Sequence, residues 1–509
     1  MNKNNLYGDI KAGIVVFLVA LPLCLGISLA CDVPLFSGIL AGIIGGIIVA
    51  IFSGSVLSVS GPAAGLTAIV ISTVATLGSF ESFLACVVIA GILQMIFGFL
   101  KAGNLGNYFP YAVIKGMLAG IGIILIINQI PHLFGYDADP ESDMFLERAN
   151  GHNSFSDLIY MFDQVTPGAV IIGLTSLVVL GISEMRFYKE DKILSFLPGP
   201  LLVVVFGILI GSSLNSTDVF YNIAPEHFVQ LPVIKNFSDL SLAIVSPDFG
   251  LVDTTKFWIA ALTIALVASL ETLLSIEATD RLDPQKRISN ANKELLAQGI
   301  GNTIAGFIGA LPITAVIVRS SANINAGAKT KAATIIHALL LFCTILFIPK
   351  ILMLIPNASL AAILIVTGFK LARPARFREQ YKKGIEHILP FVITVVGMLV
   401  TDLLKGISAG LIVGIFFIIR SNIRATFDVA KMEIEGKMHY VLKLPQHLTF
   451  FNKGFLVNFF SKVEQGSVVI VDGSVNKISD KDALEVIYDF ADGAPDKKIE
   501  VQFAKFDKK

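Results

Sequence analysis

Two charged side chains stand where an apolar sequence would be expected to carry none. Glu271 lies about halfway along the aliphatic run from Thr263 to Glu277, and Arg319 follows Ala315-Val316-Ile317-Val318. An ionised carboxylate at the centre of a membrane-spanning helix costs at least about 2.5 kcal/mol, so by default such a group marks a functional site. Ser275 comes four residues after Glu271, on the same helix face and one turn along. A carboxylate and a hydroxyl so placed offer oxygen ligands to Na+ or a seat for a carried proton. Arg319, always protonated, offers a fixed positive charge to an anion. A structural Glu271–Arg319 ion pair is the alternative, and the two arrangements can coexist. Gln94, Asn128, Gln129, Asn302, Asn323 and His337 read as hydrogen-bonding groups between helices. Lys115 follows Pro110 at a helix start, where its stem can snorkel to the interface. Glu277 and Asp280 read as solvated or paired with Arg281, and Asp402 as wet at the outer end of its span.

These side chains need a backbone that stops and restarts at membrane depth. Pro312 prevents a continuous helix through Gly309 to Ser321, because proline lacks the N–H and clashes with the preceding turn. A new helix is expected from Thr314 or Ala315. Its first turn leaves unpaired N–H groups and a partial positive charge aimed into a cavity. The alternative is a kinked helix whose arginine snorkels to the headgroups. A second break lies between Ser53 and Ala68: Val56 to Ser60 alternates like a short strand, and Gly61-Pro62 opens a short helix. This is the third membrane element of its half, and the Pro312 stretch is the third after the seventh. Short Gly/Pro-interrupted segments at matching positions of two halves point to a transport site built from inverted repeats.

Composition agrees. The chain has 509 residues, of which 54% are hydrophobic and only 15% charged, against about a quarter charged in soluble domains. Lys plus Arg equals Asp plus Glu at 39 each, so the net charge gives no argument for a nucleic-acid partner. Cys24, Cys31, Cys86 and Cys343 sit in or beside apolar segments without paired spacing and read as small apolar residues. Runs long enough to cross a bilayer fall near 13–31, 36–54, 81–101, 110–130, 166–184, 198–213, 257–278, 293–309, 332–350, 357–372, 385–404 and 406–424. The shorter segments 63–77 and 314–327 bring the total to about fourteen. The first run follows Lys3 and Lys11 and is read as a transmembrane helix, not a cleavable signal peptide. Basic breaks at Arg186–Lys192, Arg281–Lys293 and Arg373–Lys383 alternate with the acidic stretch 131–165 (Asp137, Asp139, Glu141, Asp143, Glu147, Asp157, Asp163). The positive-inside rule then puts both termini in the cytoplasm, a parity that fourteen elements share.

From about Met432 the pattern changes. His439–Leu444, Leu448–Phe451, Ser467–Asp472 and Ile499–Phe503 read as short strands, with helical spacing over Lys453–Val463 and Asp480–Ala491. The expected division is a membrane domain over 1–425 and a small cytoplasmic α/β domain over 432–509.

Several stretches resemble the SulP family of anion transporters: Ser60-Gly61-Pro62, the segment Ser269 to Ser275, Asn292 to Asn302, and Val318 to Thr330. The tail resembles a STAS domain. The resemblance implies an all-α polytopic fold of two inverted seven-element repeats, split into core and gate domains, plus the α/β tail. It places an anion between Pro62, Ala63, Ala64 and Thr67 on one side and Val316, Ile317, Val318 and Arg319 on the other. Sodium-dependent bicarbonate transporters of the family bind Na+ through a carboxylate and a hydroxyl on the eighth element, positions matched here by Glu271 and Ser275, with glutamate replacing aspartate. Those relatives lack the arginine that Arg319 supplies, and a fixed charge can partly substitute for a cation. A homodimer is also implied. The wording from Glu271 to Pro284 is similar to a branch found beside carbonic anhydrases. In two respects the tail departs from the family: it ends at Lys509 straight after a strand, and Asp472-Gly473-Ser474 reads as a turn at a loop phosphorylated in STAS-type regulators.

The resulting expectation is a secondary active transporter of a small inorganic anion, bicarbonate or sulfate, with Na+ or H+ as coupling ion. It would work by elevator-type motion in a bacterial cytoplasmic membrane. An uncoupled anion channel or sensor and a nucleobase permease of the same fold are the alternatives. No nucleophile–base set or metal-ligand spacing suggests an enzyme.

Overall fold

Each long apolar run becomes a helix, and the residues at its ends account for where it starts and stops. Pro34, Pro110 and Pro356 stand immediately before three helices and Pro167 begins a fourth, positions where the missing N–H costs nothing. Ser79, Thr254 and Asn290 cap three others, accepting the N–H of Ser82, Phe257 and Lys293 at 3.1, 3.3 and 3.0 Å.

The computed structural model describes residues 3–103, 110–136, 165–190, 197–214, 223–232, 239, 243–401, 403–423, 427–434 and 436–505. The acidic positions 137–163, Lys192 and Asp402 lie outside the described residues. The chain forms two compact units, Met1–Leu411 and Ile412–Lys509.

Among the described residues the membrane elements are α1 (Lys3–Ala30), α2 (Leu35–Phe52), α3 (Ala64–Leu77), α4 (Phe80–Phe99), α5 (Tyr111–Leu133), α6 (Pro167–Ser183) and α7 (Gly199–Leu214). They continue with α8 (Thr255–Leu282), α9 (Ala291–Phe307), α10 (Ile317–Asn325), α11 (Ala332–Phe347), α12 (Asn357–Leu371), α13 (Ile385–Val400) and α14 (Leu403–Ile423). All fourteen expected elements are present. Two strands, β1 (Ser60–Pro62) and β2 (Ile313–Ala315), precede α3 and α10. Leu25, Ile39, Phe83, Leu84, Ile121, Phe257 and Ile264 form part of the buried core, while Val178, Leu209, Ile259 and Val396 face outward. An apolar exterior suits a lipid surround, where helix association depends on close packing and internal hydrogen bonds.

The two interrupted segments differ from expectation by a few residues. The first strand is Ser60–Pro62, not Val56–Ser60, and α3 opens with a 3-10 turn at Ala64–Leu66. After Pro312 the chain stays extended through Ala315, and α10 starts at Ile317 instead of Thr314 or Ala315. The reason is tertiary: β1 and β2 pair antiparallel, with Ser60 opposite Ala315, Gly61 opposite Thr314 and Pro62 opposite Ile313. Non-helical backbone at membrane depth must find partners inside the protein, and each strand supplies the other's.

Beyond α14, whose second half it includes, the second unit is a small α/β fold. Its sheet runs β3 (Asp428–Ile434), β4 (Lys437–Lys443), β6 (Val468–Asp472), β8 (Glu500–Ala504); the β4, β6 and β8 pairings are parallel and β3 is an antiparallel edge. Between them come β5 (His447–Leu448), α15 (Lys453–Phe460), β7 (Ile478–Ser479) and α16 (Lys481–Gly493). Tyr440, Leu442, Leu456, Val469, Val471, Ala483 and Ile487 form its core. Asp480 caps α16 through the N–H groups of Asp482 and Ala483. Phe450–Asn452 is a 3-10 turn, not the end of a strand.

Candidate functional site

The antiparallel pairing brings together two helix starts from distant parts of the chain. Val316 N–H donates to the Val59 carbonyl at 2.9 Å, and Ser320 Oγ accepts the Val59 N–H at 3.0 Å. Asn323 Nδ2 donates to the Leu57 carbonyl at 3.0 Å. So fixed, α3 and α10 present their N-termini to one cavity of about 450 Å³, bordered by Pro62, Ala64, Gly65 and Val316 to Arg319. Neither N-cap side chain caps its helix. The first turn of α10 leaves its N–H groups and the positive end of its dipole, roughly half a charge, to the cavity. In α3, by contrast, the Gly65 and Leu66 N–H groups are taken by the Glu271 carboxylate and the Ala63 carbonyl, so that α3 contributes chiefly its dipole.

Arg319 is completely buried. Its Nη2 donates to Cys24 Sγ at 3.4 Å and makes a long contact of 3.5 Å to the Pro62 carbonyl, while Nε and Nη1 have no partner. A Cβ on Gly61 would collide with Nη1, so the guanidinium rests against β1 only because that residue is glycine.

Glu271 enters the same cavity from α8. The Gly65 N–H donates to its carboxylate, and Oε2 is buried without a partner. A Cβ on Gly65 would stand 2.5 Å from either carboxylate oxygen, well inside contact distance. The next residue, Thr272, accepts the Ala315 N–H at Oγ1 (3.3 Å). Consecutive residues of α8 therefore touch α3 and β2. Ser275 lines the cavity one turn from Glu271. The alternative ion pair is not formed: no carboxylate among the described residues bonds the Arg319 guanidinium.

Of the residues expected at the site, Pro62, Ala64, Val316, Ile317, Val318, Arg319, Glu271 and Ser275 all line this one cavity. Ala63 and Thr67 are buried beside it, and Thr67 Oγ1 donates back to the Ala64 carbonyl at 2.8 Å. Sequence reasoning missed Gly65, Leu23 and Cys24. Lys115 has a partner that the sequence did not show: it pairs with Glu379 at 2.6 Å, its ammonium 4.7 Å above the Tyr111 ring, and both side chains border the cavity along with Arg281 and Arg376. Glu277 pairs with Arg281 as expected, whereas Asp280 accepts from Ser289. Gln94 and Asn302 bond each other between helices as expected, whereas Asn323 bonds the non-helical Leu57 carbonyl, His337 has no partner at either ring nitrogen and Gln129 none at Oε1.

The fold is that of a multi-pass membrane protein, whose apolar helices enclose a cavity bordered by a guanidinium and a carboxylate that do not pair with each other. The chain belongs to the sulfate permease family, whose profile matches residues 6–394. A putative sulfate transporter of Bacillus subtilis, YvdB, is 26% identical over 437 residues, covering 84% of this chain and 76% of the relative. The bicarbonate transporter BicA of a Picosynechococcus species is 24% identical over 417 residues, 80% of this chain and 69% of the relative. Among solved structures, the transmembrane domain of a cyanobacterial BicA matches at TM-score 0.64 and 24% identity, covering 82% of this chain and 98% of that one. SLC26A9 matches at TM-score 0.81 and 15% identity over 100% of this chain and 86% of its own. At these identities the structural likeness is one of fold.

Proposed function

We propose that this protein is a secondary active transporter of a small inorganic anion, bicarbonate or sulfate, driven by Na+ or H+. One observation carries the proposal: Arg319 and Glu271 border the same cavity, yet each keeps an unpartnered polar atom. A unit anion about 4 Å from a fixed positive charge gains about 4 kcal/mol at an effective dielectric near 20, and the two helix dipoles add to that. Glu271, Ser275 and nearby backbone then hold the cation, so that both ions are taken up together. The basic loops orient the cavity, through Lys115, Arg281 and Arg376, toward the cytoplasm. Both termini lie on that side, and the seat moves with its half-helices against the rest of the membrane unit in an elevator-type cycle.

The test is uptake of labelled bicarbonate and of labelled sulfate by proteoliposomes under an imposed Na+ gradient, then a pH gradient. Arg319→Ala is expected to abolish uptake, and Glu271→Gln to abolish it or to free it from the gradient. Normal accumulation in both variants would remove the assignment. Competition by uracil would point instead to a nucleobase substrate.

A further inference from the structure

Three polar side chains of α9 lie outside the cavity and have so far no role in transport. Glu294, Gln298 and Asn302 recur every fourth residue, on one helix face, and each is 1% exposed or less. Asn302 grips both backbone groups of one residue: Oδ1 accepts the Ile313 N–H at 2.6 Å and Nδ2 donates to the Ile313 carbonyl at 2.9 Å. The same Nδ2 donates to Gln94 Oε1 of α4 at 2.7 Å. Gln298 Nε2 donates to Ser60 Oγ at 2.7 Å and to Glu294 Oε1 at 3.0 Å. Glu294 Oε2 accepts the Ser53 hydroxyl and the N–H groups of Gly54 (2.9 Å) and Ser55 (3.3 Å) on the segment leading into β1.

Ser60 and Ile313 are the first residues of β1 and β2 and lie at diagonally opposite corners of their three-residue sheet. So short a sheet can shear or rotate about its own hydrogen bonds, and pinning two diagonal corners to one rigid helix stops both motions. α9 is itself held, packed so closely on α4 that Gly299 and Gly91 meet backbone to backbone. We propose that Glu294, Gln298 and Asn302 are positioning residues that set the spacing and aim of the two half-helix N-termini, making α9 the spine of the anion seat. This rests on the transport function proposed above. The ladder acts through backbone geometry: it touches no transported ion, and it tunes how well the dipole of α3 and the first-turn N–H groups of α10 converge on one anion.

The experiment uses the full chain in proteoliposomes with labelled bicarbonate and sulfate, and compares Gln298→Leu, Ser60→Ala and the double variant. Each single change should raise the half-saturating anion concentration about tenfold, given that a misplacement near 1 Å can cost about a hundredfold. The maximal rate per folded transporter should stay within about twofold. Because Gln298 acts through Ser60, the double variant should be no worse than the poorer single one. Asn302→Asp, which keeps the acceptor for the Ile313 N–H, should retain more affinity than Asn302→Leu. Unchanged half-saturation with only a lower yield or melting temperature would make the ladder purely structural and overturn the proposal, as would additive losses in the double variant. Loss of uptake in Arg319→Ala beside unchanged half-saturation in Gln298→Leu and Asn302→Leu defeats the ladder alone. Normal uptake in Arg319→Ala defeats the seat, and the ladder with it.

Discussion

The contact between Gly65 and Glu271 can be broken by adding one methyl group. In Gly65→Ala the new Cβ would sit 2.5 Å from both carboxylate oxygens and 2.6 Å from the carboxyl carbon. Unstrained carbon contacts begin near 3.5 Å, so the carboxylate must swing away and surrender the Gly65 N–H. A displaced carboxylate gives up its place as a ligand of the bound cation, a charge-assisted contact of the order of a hydrogen bond to a charged group, about 1.5–3 kcal/mol. At about 1.4 kcal/mol per decade, the Na+ concentration for half-maximal uptake is expected to rise roughly 10- to 150-fold. The nearest atoms around the added Cβ all belong to Glu271. The half-saturating anion concentration, measured at saturating Na+, should therefore move less than about threefold, below the roughly 0.65 kcal/mol that such a shift represents. The assay is initial-rate uptake in proteoliposomes over a matrix of Na+, anion and pH. Unchanged Na+ and pH dependence with full uptake would show that the Glu271 carboxylate is not the coupling group.

Three further outcomes follow from groups described above. Arg319→Met should abolish uptake without lowering the melting temperature in detergent, because it removes a buried charge that has no carboxylate partner; marked destabilisation would mean the guanidinium is structural. His337→Leu should melt no lower than wild type, since neither ring nitrogen has a partner to lose; a large drop in a thermal scan would contradict that. Asp283, in the loop after α8, has its carboxyl held below the usual range, chiefly by the Arg287 hydrogen bond and against the effect of burial, with the Gln285 and Arg287 N–H groups also contributing. A value lower in the folded state than in the unfolded one stabilises above the unfolded value, near about pH 4, and fades as pH falls through the lowered one. Wild type should therefore lose its melting-temperature advantage over Asp283→Asn as pH drops below about 4.

The fourteen membrane elements were legible because each rests on a local property, an apolar run long enough to span or a proline that interrupts one. Glu271 and Arg319 were legible for the complementary reason, as charges out of place. The starts of α3 and α10 were misjudged by a few residues because the pairing of Ser60–Pro62 with Ile313–Ala315 joins segments that no local window contains. Gly65 carried no signal at all, since its importance lies in what approaches it. Lys115 resembled many snorkelling lysines, and only the fold brings Glu379 to it. Strand β3 went unseen because every residue in it is exposed, so no buried face imposed an alternating pattern. Opposite charges suggested a Glu271–Arg319 bond, but charge alone cannot tell whether two side chains face each other or a shared space.

The pairing of β1 with β2 also sets a timetable for the newborn chain. Ser60–Pro62 leave the ribosome about 250 residues before their partners, an interval of roughly 12–50 s at about 5–20 residues per second. During that time the extended backbone at Ser60–Pro62 has entered the bilayer without the strand that will satisfy it, a costly condition in hydrocarbon. The half-made seat is thus a window of vulnerability to proteolysis and mispairing that closes only when Ile313–Ala315 arrives. Chains arrested before Pro312 should be degraded faster in a pulse–chase than chains arrested after α10, and equal lifetimes would mean that some other segment shelters the first strand meanwhile.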